Sequence, residues 1–143
     1  LVEYALTQLW AHHGVKPDMV IGHSMGENTA ACVAGVFAFD DALGLLLLRG
    51  QLVEQTPPGG MVSVPMAAAD LRPLLDELGL DLASANSPQL SVASGPPEGL
   101  DALSARLKAQ GIDTQRVKVN VAGHSKLLDG ILPRFRAYLQ SIR

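Results

Sequence analysis

The sequence predicts an α/β protein interrupted by a second, differently patterned segment, and three observations carry that reading. An apolar run, Met19-Val20-Ile21, leads into Gly22-His23-Ser24-Met25-Gly26 and then into helix-forming residues from Glu27 onward. That order describes a nucleophile elbow, the sharp strand-to-helix turn of α/β-hydrolase-like folds, which lifts a serine hydroxyl above the end of a sheet. After the breaker Pro57-Pro58-Gly59-Gly60 the pattern becomes strand–helix–strand–strand–helix–strand, the ferredoxin-like βαββαβ unit. A final helical pattern follows. The expected organisation is therefore 1–58 as part of an α/β-hydrolase-like core, 59–122 as an inserted ferredoxin-like small subdomain, and 123–143 as the return to the large subdomain.

Length and composition narrow the function classes. A chain of 143 residues holds one domain-sized core or two small ones. With 17% charged residues and a formal net charge of −3 it is neither disordered nor a basic nucleic-acid binder. The apolar run Leu45 to Leu48 is far too short to span a bilayer. The single cysteine, Cys32, excludes an internal disulfide and fits a reducing cytoplasm, where it serves as a small packing residue. Leu1-Val2-Glu3-Tyr4 opens in mid-helix with no initiator Met and no signal pattern, so the chain is expected to be a piece of something larger.

The elements follow in order. Leu1, Val2, Ala5, Leu6, Leu9 and Trp10 form an apolar stripe at helical spacing, which Gly14 ends. Lys16-Pro17-Asp18 turns the chain into a buried strand from Met19 to Gly22. Small residues from Asn28 to Ala34 suit a helix packed closely on a sheet. Asp40 is placed to cap a second helix running to about Glu54, with Leu45 and Leu48 toward the core. Beyond the breaker, strands are expected at 60–66, 82–86, 90–94 and 115–121, with helices at 68–78 and 97–110 and Gly111 closing the second. His124 is expected where the last strand ends. An amphipathic helix with Pro133 near its start fills 131–142.

The elbow places Ser24 as a nucleophile, and Gly22 and Gly26 are expected to flank it where any Cβ would crowd the turn. The Met25 N–H, in the first turn of the next helix, would face an oxyanion on the serine adduct. A serine hydroxyl needs a base. His12 and His13 end the first helix, where a solvated terminus explains them. His23 adjoins Ser24 and points to the opposite face, which suits packing behind the elbow. His124 sits at a strand end, where active sites of α/β folds gather, and is the expected base. Arg49 has two readings from pattern alone: a guanidinium that grips a carboxylate beside the elbow, or a surface arginine at a helix end.

Several blocks together resemble the malonyl-CoA:acyl carrier protein transacylase family, most closely the acyltransferase domains of modular polyketide synthases. They are Val15-Lys16-Pro17-Asp18-Met19-Val20, the elbow with Glu27, the following Ala-Ala-Cys-Val-Ala-Gly-Val-Phe, and Leu48-Arg49-Gly50-Gln51. Ala85-Asn86-Ser87-Pro88 with Val92-Ala93-Ser94-Gly95 resembles the small-subdomain hairpin, with Asn86 as motif support. Val121-Ala122-Gly123-His124 occupies the place of the four-residue specificity motif. The resemblance implies that Ser24 attacks an acyl-CoA thioester, that His124 relays the proton, and that Arg49 holds the free carboxylate of a malonyl-type group. It implies ping-pong transfer to an acyl carrier protein beside synthase domains such as a ketosynthase. No bound cofactor, metal, membrane or nucleic acid is implied; coenzyme A enters as substrate. The family's Gly-Gln-Gly segment, a glutamine ahead of the first helix and the backbone that orients the histidine have no counterpart here, so the chain is expected to be weak or inactive alone.

Substrate choice is open at this level. Malonyl-selective members often carry His-Ala-Phe-His at the motif and methylmalonyl-selective ones Tyr-Ala-Ser-His. Gly123 would leave room beside the α-carbon, which leans toward tolerance of methylmalonyl. Two other functions fit the residues less closely. A serine esterase or thioesterase would require an acid partner, with Asp101 and Asp113 in the right interval but on the small subdomain. A carrier-protein docking fragment would need no acylation at all.

Overall fold

A computed structural model of the chain describes residues 1–142. The chain separates into two compact units, Leu1–Gln51 with the chain from Arg134 onward, and Leu52–Pro133. Each is taken by itself.

The first unit is helical. Helix α1 spans Val2–His12, α2 Met25–Val33 and α3 Phe39–Val53, and α6 (Leu132–Ser141) contributes its greater part. Three contacts bind these helices together. Thr29 Oγ1 donates to Glu3 Oε2 at 2.6 Å, tying α2 to α1. Tyr4 stacks on Phe39 with ring centroids 4.2 Å apart, tying α1 to α3. Tyr138 Oη donates to the Asp41 carbonyl at 3.3 Å, and the same phenol occupies the space a side chain at Gly44 would need. Gly14 ends α1 with φ 82°, and the Val15 N–H bonds back to the Trp10 carbonyl at 3.0 Å, the Schellman closure expected of a C′ glycine.

Several sequence expectations fail in this unit. The segment 19–22 forms no strand. Met19 and Ile21 are 91% and 97% exposed rather than buried. A strand exists only through the ladder it makes with a neighbour, and no strand among the described residues pairs with this one. The apolar stripe of α1 is likewise uncovered: Leu1, Val2, Leu6, Leu9 and Trp10 are all at least half exposed. Asp40 is not a cap. Helix α3 begins one residue earlier, and Asp40 lies with Asp41 in its first turn, where an acidic side chain suits the positive end of the helix. Of the two leucines expected inward on α3, Leu45 is buried and Leu48 half-buried.

The second unit is a four-stranded antiparallel sheet with two helices against it. Its elements are β1 (Gly60–Val64), α4 (Ala68–Leu78), β2 (Asp81–Ser87), β3 (Leu90–Gly95), α5 (Pro97–Ala109) and β4 (Gln115–Arg116). The strand order is β2-β3-β1-β4. Alternation sets the packing: on β1, Gly60, Val62 and Val64 are buried while Met61 and Ser63 are only partly so. Val62, Val64 and Ala93 meet Leu71 and Leu75 of α4 and Leu100, Leu103 and Leu107 of α5 in one core. Two buried serines on β3 keep partners: Ser91 Oγ donates to the Met66 carbonyl at 2.9 Å and Ser94 Oγ to the Gly60 carbonyl at 3.4 Å.

The last strand is much shorter than the 115–121 its composition suggests. Val62 pairs with Arg116 and Ser63 with Gln115, and one further bond runs from the Val117 N–H to the Met61 carbonyl at 2.9 Å. The Val119 N–H then bonds to the Val117 carbonyl two residues back, at 2.8 Å. That three-residue turn swings the chain off the sheet edge. His124 consequently lies not at a strand end but in a turn eight residues beyond it, just ahead of a 3-10 helix over Lys126–Ile131.

Candidate active site

Ser24 is the most constrained residue of the first unit. Its φ of 53° and ψ of −111° lie in a region that residues with a Cβ rarely enter, while Met25 directly after it begins α2. The turn is closed by the Gly26 N–H bonding to the His23 carbonyl at 3.0 Å and the Glu27 N–H to the Ser24 carbonyl at 3.1 Å. A side chain at Gly22 would collide with the backbone of Gly26 and Glu27, so only glycine lets the two limbs of the turn meet. Gly26 is different: a Cβ there would meet only Glu3 Oε1 at 3.9 Å, an ordinary contact, so the expected crowding holds at Gly22 alone. Backbone strain of this kind persists only where the surroundings hold it, and it concentrates at functional sites.

Two more groups adjoin the serine. Met25 occupies the first helical position, whose N–H has no acceptor within the helix. Arg49, on α3, places Nη1 2.6 Å from Met25 Sδ. A thioether is a weak acceptor, so the contact locates the guanidinium beside the elbow without neutralising it. Arg49 is half-buried on α3. His23 lines a groove of about 810 Å³ with Trp10, Val20, Ala30 and Val33, on apolar ground shared by α1 and α2. His12 and His13 meet edge to face at 5.5 Å at the end of α1. Burial pushes the Cys32 thiol above its ordinary pKa. Among the described residues no cluster of His, Cys, Asp and Glu is arranged to hold a metal ion.

The second unit carries His124. Its φ is 58°, a left-handed conformation that needs external support in a residue with a Cβ. Neighbouring groups supply that support. Ser125 Oγ donates to the Ala122 carbonyl at 2.7 Å and accepts the Leu127 N–H at 3.3 Å. Asp81 Oδ2, at the start of β2, accepts the Lys126 N–H at 2.9 Å. Ala122 is buried against Gly59, where a Cβ would press on the Ala122 methyl. His124 opens onto a cavity of about 520 Å³ lined also by Arg72, Asp81, Leu82, Lys126 and Asp129. Asp101 and Asp113 are not among its lining residues, and Asp101 is paired with Arg116 at 3.0 Å. Asn86 lies exposed on β2, and Val121 is half-buried.

Gly123 borders β1 with room for a Cβ at ordinary contact distance. A Cβ at that position would lie 3.4 Å from Met61 Sδ, on β1. Sequence reasoning missed both Met61 and Asp81, because each reaches the histidine turn only through sheet topology. The structure thus gathers Gly22, His23, Ser24, Met25, Gly26 and Arg49 in the first unit. It gathers Val121, Ala122, Gly123 and His124 in the second.

A strained serine at the head of a helix, backed by a glycine that admits no side chain, is the signature of an acyl-serine enzyme class. Comparison with known proteins makes the class particular: the family model for the acyl transferase domain matches residues 1–143, and the chain belongs to that family. Its relatives include the PKS-NRPS hybrid synthetase acdB of Aspergillus candidus, 40% identical over 99% of this chain and 6% of that protein. The mycoketide-CoA synthase of Mycobacterium tuberculosis is 40% identical over 99% of this chain and 3% of that protein. Among solved structures, the acyl transferase domain of SpnD in complex with 2-(pent-4-yn-1-yl)malonyl superposes with a TM-score of 0.92 at 40% identity, over 99% of this chain and 34% of that one. The acyltransferase domain of phenolphthiocerol/phthiocerol synthase A from Mycobacterium bovis (BCG) gives 0.89 at 36% identity, over 96% and 53%. The chain therefore spans a small fraction of the synthases it matches and about a third to a half of these solved domains. No described helix is long and apolar enough to cross a membrane.

Proposed function

We propose that this chain carries the nucleophile, the base and the carboxylate anchor of an acyltransferase that loads malonyl-type units in polyketide synthesis. The observation that carries the reading is the strained Ser24 with the Arg49 guanidinium held beside the next residue. Ser24 Oγ attacks the thioester carbonyl of an acyl-CoA while His124 takes its proton. The carbonyl oxygen becomes an oxyanion facing the Met25 N–H. The C–S bond breaks, and coenzyme A leaves as the thiol with the proton returned by His124. In the second half, His124 deprotonates the phosphopantetheine thiol of an acyl carrier protein. That sulfur attacks the acyl-serine ester and Ser24 is released with its proton. Arg49 receives the free carboxylate of the malonyl group, for which its planar fork is suited.

The architecture proposed with this chemistry is an α/β-hydrolase-like large subdomain, of which 1–58 and 123–143 form part, interrupted by a ferredoxin-like small subdomain over 59–122. Its βαββαβ order and β2-β3-β1-β4 sheet support that reading. The partners are an acyl carrier protein and neighbouring synthase domains such as a ketosynthase, in the cytoplasm. The reaction draws on no bound cofactor. The solved relative holding a substituted malonyl group supports a malonyl-type donor. With Val121, Ala122 and Gly123 as the pocket wall, Met61 Sδ borders Gly123, 3.4 Å from where a Cβ would lie.

The test is intact-protein mass spectrometry of the full-length protein incubated with malonyl-CoA and, separately, methylmalonyl-CoA. A mass gain that Ser24→Ala abolishes supports the reading. Hydrolysis of simple esters with no labelling by either donor supports a serine hydrolase instead.

A further inference from the structure

We infer that Asp81 is a positioning residue for the histidine, acting through the backbone of Lys126; the inference rests on His124 being the base. His124 sits in a left-handed turn (φ 58°) that its own Cβ disfavours, so the turn must be held from outside. One hold is local, through Ser125 Oγ to the Ala122 carbonyl and the Leu127 N–H. The other comes from 45 residues away in sequence: Asp81 Oδ2 accepts the Lys126 N–H at 2.9 Å. This N–H is the first of the 3-10 helix and has no acceptor within it. The Asp81 side chain is only 24% exposed and stands at the head of β2, a strand fixed along its length by β3. The bond therefore fastens the histidine turn to the rigid sheet.

The Lys126 amine also approaches Asp81, but at 3.6 Å and with the side chain 85% exposed. An exposed pair of that kind contributes little. The backbone bond is the working contact, and a carboxylate makes it stronger than a neutral acceptor would. Asp81 lines the same cavity as His124, so the tether lies beside the histidine it would position. A base displaced by about 1 Å loses on the order of 100-fold in rate, which sets the scale for losing the tether.

The test uses the full-length protein, with the rate of acyl-enzyme formation and the KM for malonyl-CoA as separate readouts. Asp81→Ala removes the acceptor. Lys126→Pro removes the donor at a first helical position, where proline is tolerated, after a Ser125 already in the extended conformation proline requires (φ −129°, ψ 167°). Each is expected to lower kcat by about 10- to 100-fold with KM little changed, and the two together are expected to cost no more than one. Asp81→Asn, which keeps an acceptor oxygen, recovers most of the rate. Lys126→Leu, which keeps the N–H and loses the amine, retains it. His124→Ala is measured alongside. If it abolishes acylation while Asp81→Ala and Lys126→Pro acylate at the wild-type rate, the tether is overturned and the base assignment stands. Additive losses in the double variant, or a rise in KM with kcat unchanged, also overturn it. If His124→Ala retains full acylation, the base assignment fails and the inference goes with it.

Discussion

Replacing Ser24 by glycine and by alanine separates the cost of the elbow from its chemistry. Both changes remove the hydroxyl, so both abolish acylation, and they differ only in the Cβ. With φ 53° and ψ −111°, a residue bearing a Cβ costs on the order of 1–3 kcal/mol at this position. Alanine retains that cost and glycine relieves it. Against the relief stands the extra freedom glycine has in the unfolded chain, about 0.5–1 kcal/mol. The balance favours Ser24→Gly over Ser24→Ala by about 1 kcal/mol, the reverse of the order at an unstrained position. Calorimetry of the full-length protein reads this as a glycine transition about 2–4 °C above that of alanine, for a cooperative unit of 150–250 residues. If the alanine variant melts at or above the glycine variant, the serine is not strained and the elbow's main physical support is gone.

Three further outcomes follow from the site and its surroundings. Arg49→Ala should lower kcat/KM for malonyl-CoA by about 100-fold, from two charge-assisted bonds taken at about 1.5 kcal/mol each for a half-buried guanidinium, and spare acetyl-CoA; an equal fall for both donors would mean Arg49 does not hold a carboxylate. Met61→Ala should raise the preference for substituted malonyl donors over malonyl by about 10-fold, the worth of one methylene-sized change in an apolar pocket; an unchanged ratio in competition assays would show that Met61 does not face the acyl group. On the small unit, Arg106 grips Glu77 at 2.6 and 2.8 Å and holds its carboxyl below the usual range by hydrogen bonding first and charge second. A depressed folded pKa contributes stability that is present above the unfolded value near 4.5 and fades as pH falls through the folded one. Glu77→Gln should therefore lower the melting temperature slightly at neutral pH, with the gap to wild type closing as pH falls below about 4.5; a parallel shift at all pH values would assign the effect to packing.

Local chemistry explains what was legible in the sequence. Helix α4 and strand β3 announce themselves by spacing and by the turn residues around them, since their apolar faces are covered within their own unit. Gly111 closes α5 locally: its N–H bonds to the Lys108 carbonyl, and the Ile112 N–H to the Leu107 carbonyl. The misses share a cause, dependence on something distant. Met19 to Ile21 has the composition of a strand, but composition cannot supply the neighbour that makes one. The 115–121 run also has strand composition, yet a bond across Lys118 turns it away after Arg116. At the candidate site, Gly22 and Ser24 were legible because the elbow lies within five consecutive residues. Met61 and Asp81 were not, because a sheet register delivers them to the histidine turn.

The uncovered segment 19–21 also bears on how this chain behaves in solution. It presents Met19 and Ile21 almost fully to water in an unpaired stretch that bends at Asp18 and Met19. Exposed apolar surface of this kind favours association between molecules. The chain should self-associate in a concentration-dependent way that has nothing to do with its chemistry. Light scattering should accompany any activity measured on it, so that turnover lost to aggregation is not taken for turnover the site cannot perform.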